Sequence, residues 1–264
     1  MLLFVFLLTR KQIVKKYLLL TLLLFSSGLA YAQQVRNVVL VHGAFVDASS
    51  WRPVANILMR QGFHVTAVQN PLTSLSDDVE AVRRVLEQQQ GDTILVGYSW
   101  GGMPITQIGD DEKVKGLVYI AAMAPKVGES ITDLQKQEPE QATMRGLEGV
   151  IEDGYGNYLI DPDWYHYALA HDSDPEVVKW FAYSQIPMSK SAFDEKVTYA
   201  AWADKPSWYA ISGDDKIVSP KLQQMMAKRM NAETITIDSG HASILSHPHE
   251  VADLIEQASR YSYK

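Results

Sequence analysis

Thr93-Ile94-Leu95-Val96-Gly97-Tyr98-Ser99-Trp100-Gly101-Gly102 runs from an apolar segment straight into a glycine-rich turn. The segment from Thr93 to Gly97 reads as a strand buried on both faces, and the residues beyond the turn read as a helix. Gly97, Ser99 and Gly101 fit G-x-S-x-G. Five residues of that pattern arise often by chance. The weight comes from the setting, a strand before and a helix after, which a nucleophile elbow requires. A serine there occupies a strained turn, and glycines two positions to either side let strand and helix pack closely. The helix N-terminus beneath it favours developing negative charge.

Outward from this stretch, strand and helix signals alternate. Val35 to Val41 is a short apolar run ending at His42-Gly43. A helix follows from Trp51 to Arg60, closed by Gly62, and Phe63 to Val68 is the next strand. Asp77 and Glu80, three apart, suit a helix start with Val79, Val82 and Leu86 on its apolar face. Val114 to Met123 is strand again. The alternation resumes at Ser207 to Ser212 (strand), Pro220 to Met230 (helix), Thr234 to Ile237 (strand) and a last helix after Pro248. Strand-helix repetition of this kind predicts an α/β fold with a mostly parallel, doubly wound sheet covered on both faces.

Between Pro125 and about Lys205 the alternation stops. Acidic helical pieces and aromatics take over, among them Trp164, Tyr165, Tyr167, Trp180, Phe181, Tyr183, Phe193 and Trp202. We read 125–205 as an inserted helical cap on a core formed by 33–124 and 206–264.

Three further positions complete a constellation around Ser99. His241, in Asp238-Ser239-Gly240-His241, lies just past the last strand, where a loop histidine reaches a serine at the C-terminal edge of the sheet. Of seven histidines it alone combines a loop position with the right chain order; His42 reads as a residue supporting its loop. Ser212-Gly213-Asp214-Asp215-Lys216-Ile217 follows a strand and offers two adjacent carboxylates. Neighbouring residues point in different directions, so one of them orients the imidazole. We read Asp215 as that acid and Asp214 as a solvated or loop-capping residue. The order Ser, Asp, His is the one this elbow takes. The loop His42-Gly43-Ala44-Phe45 is placed to supply one backbone N–H of an oxyanion hole at Ala44, with Trp100 supplying the other. Acyl transfer on such a set needs no cofactor and no metal, and no His-carboxylate cluster at metal-ligand spacing is visible.

The first residues carry an address signal. Lys15 and Lys16 precede an apolar run from Tyr17 to Phe25, followed by Ala30-Tyr31-Ala32. This reads as a signal peptide over 1–32, cleaved after Ala32, with an uncleaved membrane anchor as the alternative, and so as export to a bacterial periplasm or beyond. Its removal takes away Arg10, Lys11, Lys15 and Lys16 and no acidic residue, so 24 basic residues become 20 against 31 acidic and the net charge moves from −7 to −11. That balance speaks against nucleic acid and anionic membrane surfaces as partners and leaves a small molecule. The chain has no cysteine, which excludes disulfides, thiolate metal sites and a cysteine nucleophile.

With these motifs placed, the chain resembles the α/β-hydrolase superfamily over its length after residue 32. The strand running directly into His42-Gly43, the stretch Gln69-Asn70-Pro71-Leu72-Thr73 and the segment Asp215-Lys216-Ile217-Val218-Ser219-Pro220 are similar to a bacterial subgroup related to plant methylesterases and hydroxynitrile lyases. The resemblance implies an acid five residues before a proline, which favours Asp215 over Asp214. It also spans several activities. Hydroxynitrile lyases of this kind carry lysine directly after the catalytic histidine, where this chain has Ala242. Dehalogenases and epoxide hydrolases carry aspartate at the elbow, where this chain has Ser99. The expectation is a carboxylesterase acting on small apolar esters. Cofactor-free lyase or perhydrolase chemistry on the same residues, or a ligand-binding role of the fold, stand as alternatives.

Overall fold

The computed structural model describes residues 34–138, 140 and 143–261. The leader expected over 1–32 lies outside the described residues. Six strands form one parallel sheet: β1 Asn37–Val41, β2 His64–Val68, β3 Thr93–Tyr98, β4 Val114–Ile120, β8 Ser207–Ser212 and β9 Glu233–Ile237, in the order β2-β1-β3-β4-β8-β9. Every residue of β3 and β8 is buried, whereas the edge strands β2 and β9 expose part of theirs. The continuous apolar runs are thus the central strands, sandwiched between helices, as a parallel sheet demands.

Helices α1 Arg52–Arg60, α2 Leu75–Gln88, α3 Gly102–Ile108, α7 Pro220–Arg229, the short α8 Ser243–Ser246 and α9 Pro248–Ser259 accompany these strands. The start of α2 differs from the expectation at Asp77 and Glu80. Ser74 is the N-cap, its hydroxyl accepting from the Asp77 backbone N–H, so Asp77 falls in the first turn where its charge suits the helix end.

The chain leaves β1 to build β2 on one side and returns to build β3 on the other. This reversal opens a crevice at the C-terminal ends of β1 and β3, the usual place for a site in such sheets. The loops ending in Ala44 and Ser99 leave from those two strands.

Among the described residues, the segment between β4 and β8 holds three α-helices, α4 Ile131–Gln137, α5 Pro162–Leu169 and α6 Pro175–Ser184. It is not purely helical. β5 Val150–Glu152, β6 Asn157–Ile160 and β7 Met188–Ser189 form a three-stranded antiparallel sheet. The hairpin is closed at Asp153, whose carboxylate accepts from the Tyr155 and Asn157 backbone N–H groups, while Gly154 and Gly156 take φ of 78° and 90°. Strands of two to four residues are too short for an alternating pattern to show in sequence.

Candidate active site

Ser99 follows β3 directly and holds φ at +53°, a left-handed conformation that costs a non-glycine residue energy. Close packing imposes it. A Cβ on Gly97 would lie 2.6 Å from Gly101 O, and one on Gly101 would lie 2.4 Å from Val41 O, so the elbow closes only with glycine on both sides. The Ser99 carbonyl is in turn bound by the Met123 N–H at 3.0 Å.

The side chains of Ser99, His241 and Asp215 meet. His241 Nε2 is 2.8 Å from Ser99 Oγ, and His241 Nδ1 is 2.6 Å from Asp215 Oδ2. A carboxylate only accepts, so Nδ1 carries the ring proton and Nε2 is free to accept from the serine hydroxyl. His241 and Asp215 are both buried. The carboxylate is saturated: Oδ1 accepts from the Ile217 and Val218 N–H groups at 2.7 and 2.9 Å, and Oδ2 also accepts from Gln223 Nε2 at 2.8 Å. Gln223, on α7, closes the network by accepting from the Ser212 N–H at 3.0 Å. Asp214 points the other way. It is exposed and faces Lys216 and His171 Nε2, and the Lys216 ammonium holds its carboxyl below the usual range.

Ala44 and Trp100 both line the cavity beside Ser99. Their surroundings are braced on two sides, by Asp78, which the sequence did not single out, and by His42, read from the sequence as supporting its loop. Asp78 is buried beneath the elbow, its Oδ2 accepting from Trp100 Nε1 at 2.5 Å and its Oδ1 from the Leu72 N–H at 2.9 Å. Burial pushes its carboxyl up to about 6 despite those two donors. On the other side His42 donates from Nδ1 to Gly43 O at 2.8 Å and accepts at Nε2 from the Asn70 N–H at 2.9 Å. Its burial lowers the imidazole pKa to about 4, so it stays neutral and holds the loop. No sequence signal marks Asp78 or Gln223, because each acts on a partner brought near only by the fold.

The cavity above Ser99 encloses about 350 Å³. Phe45, Met123, Leu147, Phe193, Ile217 and Val218 supply apolar wall, with Thr132, Gln135 and Lys190 as polar interruptions. Of the insert aromatics named from sequence, Phe193 reaches this wall; Tyr165 and Phe181 are buried elsewhere, while Trp180 and Tyr183 are exposed.

A parallel sheet with a serine elbow, an imidazole and a saturated carboxylate at its C-terminal edge is the arrangement of the α/β-hydrolase scaffold. Residues 38–254 match the model of the alpha/beta hydrolase family, and the chain belongs to that family. Among curated relatives, alpha/beta hydrolase nvfD of Aspergillus novofumigatus is 28% identical over 84% of this chain and 96% of its own. Methylesterase 9 of Arabidopsis thaliana is 23% identical over 86% of this chain and 100% of its own. Among solved structures, a pyrethroid hydrolase from Sphingobium faniae JZ-2 superposes with a TM-score of 0.74 at 19% identity, covering 85% of this chain and 97% of that one. At that identity the likeness speaks for the fold.

Proposed function

We propose that this protein is a serine hydrolase that cleaves small, largely apolar carboxylic esters through an acyl-enzyme on Ser99. The single observation that carries the reading is the unbroken chain Ser99 Oγ, His241, Asp215, with steps of 2.8 and 2.6 Å, at the floor of an apolar cavity. His241 Nε2 takes the hydroxyl proton as Ser99 Oγ attacks the ester carbonyl carbon, and the carbonyl oxygen becomes the oxyanion. The Ala44 and Trp100 backbone N–H groups receive that charge. Collapse breaks the bond to the alcohol oxygen, which leaves with the proton from His241. Water, deprotonated by the same imidazole, then attacks the acyl carbon and releases the acid and Ser99. Asp215 keeps the proton on Nδ1 and balances the imidazolium.

The wall chemistry supports an apolar acyl or alcohol group, with a few polar side chains to orient it. The name of one curated relative, methylesterase 9 of Arabidopsis thaliana, points the same way. A panel of methyl, aryl and short-acyl esters tests the reading. At least one is hydrolysed, and Ser99→Ala lowers turnover on the order of 10³-fold or more while the protein still folds. Turnover near the wild-type level in that variant, with contaminating enzyme excluded, overturns the assignment.

A further inference from the structure

The helix α5 and the four residues after it touch three of the loops that carry the proposed chemistry, those of Ala44, Asp215 and His241. Tyr165, buried in α5, donates from its hydroxyl to Phe45 O at 2.7 Å, which ties the helix to the loop of Ala44. The last residue of α5, Leu169, accepts at its carbonyl from the Ala242 N–H at 2.8 Å. Three residues on, Asp172 Oδ2 accepts from the Gly240 N–H at 2.8 Å. Between them, His171 Nε2 lies 3.0 Å from Asp214 Oδ2. The residues on either side of His241 are therefore both bound to the insert, and so is the residue before Asp215.

The contact is close. A Cβ on Gly240 would lie 2.8 Å from His171 Cε1 and 2.9 Å from Asp172 Oδ1, so the histidine loop is pressed onto this segment. The two loops are also joined to each other, the Gly213 and Asp214 N–H groups donating to Ile237 O and Ser239 O at 2.8 and 2.9 Å. Loop, loop and insert form a closed ring of hydrogen bonds around the buried pair His241–Asp215. A loop histidine left to itself samples many backbone conformations. Pinning the peptide N–H groups at positions 240 and 242 leaves His241 little beyond its side-chain torsions, and those are fixed by Asp215 and Ser99.

We propose that His171 and Asp172 are positioning residues: the insert holds the imidazole of His241 in line with Ser99 through Gly240, Ala242 and Asp214. This rests on the functional reading above and deepens it. The same insert walls the cavity through Leu147, Tyr158 and Phe193, so an insert displaced from the core would lose substrate contacts and imidazole alignment together.

Asp172→Ala and Asp172→Asn, compared per active site titrated with a fluorophosphonate, test the idea. Removing the acceptor lets His241 drift, and misalignment of about an ångström lowers kcat by roughly 10- to 100-fold, with KM changed less than about threefold. Asparagine keeps an oxygen for the Gly240 N–H and restores kcat to within about threefold of wild type. A role confined to stability would lower Tm and leave kcat per titrated site intact. The downfield proton resonance of His241 Nδ1–H, followed in the Ser99→Ala background, broadens or vanishes with Asp172→Ala and stays with Asp172→Asn. Wild-type kcat in Asp172→Ala, or equal damage by both variants, overturns the proposal. Should Asp172→Ala fail to fold, His171→Phe, which removes the link to Asp214, carries the same comparison. A wild-type protein that neither reacts with the probe nor hydrolyses any ester sinks the functional reading itself, which is a different outcome from a labelled protein indifferent to Asp172.

Discussion

The loops that follow β1 and β9 each present a histidine at the C-terminal edge of the sheet, and both are buried, His42 at 0% and His241 at 1% exposure. Burial and location are nearly equal, yet their surroundings differ. Both ring nitrogens of His42 are committed to backbone groups, Gly43 O and the Asn70 N–H. Those of His241 face side chains that can exchange a proton, Asp215 and Ser99. A buried imidazole surrounded by peptide groups is a strut. One placed between a carboxylate and a hydroxyl can pass a proton along, and the partners decide which it is.

The largest effect expected from this contrast falls on the His241 side. Asp215→Asn leaves the geometry nearly intact but offers Nδ1 a donor instead of an acceptor, which favours the wrong tautomer; a loss of about 10⁴-fold in kcat follows by analogy with the serine proteases. Steady-state kinetics against the best ester measures it, and a loss below tenfold would put the acid elsewhere. On the His42 side the effect appears in stability and has a sign. The imidazole pKa falls from 6.5 unfolded to about 4 folded, so the unfolded chain binds the extra proton between these values. Its stabilising contribution is present above pH 6.5 and is lost as the pH falls towards 4, on the order of 3 kcal/mol in all. In denaturant titrations the advantage of wild type over His42→Gln narrows on acidification from pH 7 to 4. A constant difference across that range would mean that His42 is not held neutral. The smallest effect belongs to Asp214. Asp214→Asn keeps an oxygen for His171 and therefore keeps that link to the insert, so kcat changes by less than about tenfold. A loss comparable to that of Asp215→Asn would reverse the roles of the two neighbours.

Much of this was legible in the chain, and the reason lies in sequence distance. The central strands announce themselves as unbroken apolar runs because helices cover both their faces. Ser99 is marked by glycines that sit two residues away, and His241 by its place after the last strand. The limits appear wherever an interaction spans the fold. Asp78 meets Trp100 across 22 positions and Asp172 meets Gly240 across 68, and neither pair leaves a local pattern. Asp214 and Asp215 stand side by side in the same loop, and what separates them is the Gln223 amide and two backbone N–H groups arranged only after α7 has packed. The insert was the least readable region. Its hairpin strands are too short for periodicity, and several of its aromatics pack the insert instead of lining the cavity.

The central claim is that Ser99 attacks the substrate carbonyl and carries the acyl group. Intact-mass spectrometry after brief exposure to a fluorophosphonate, followed by peptide mapping, tests it directly. The account predicts one adduct per chain, located on the peptide containing Ser99, absent in Ser99→Ala and formed far more slowly in His241→Ala. An adduct on any other residue, or labelling that survives Ser99→Ala unchanged, would contradict it.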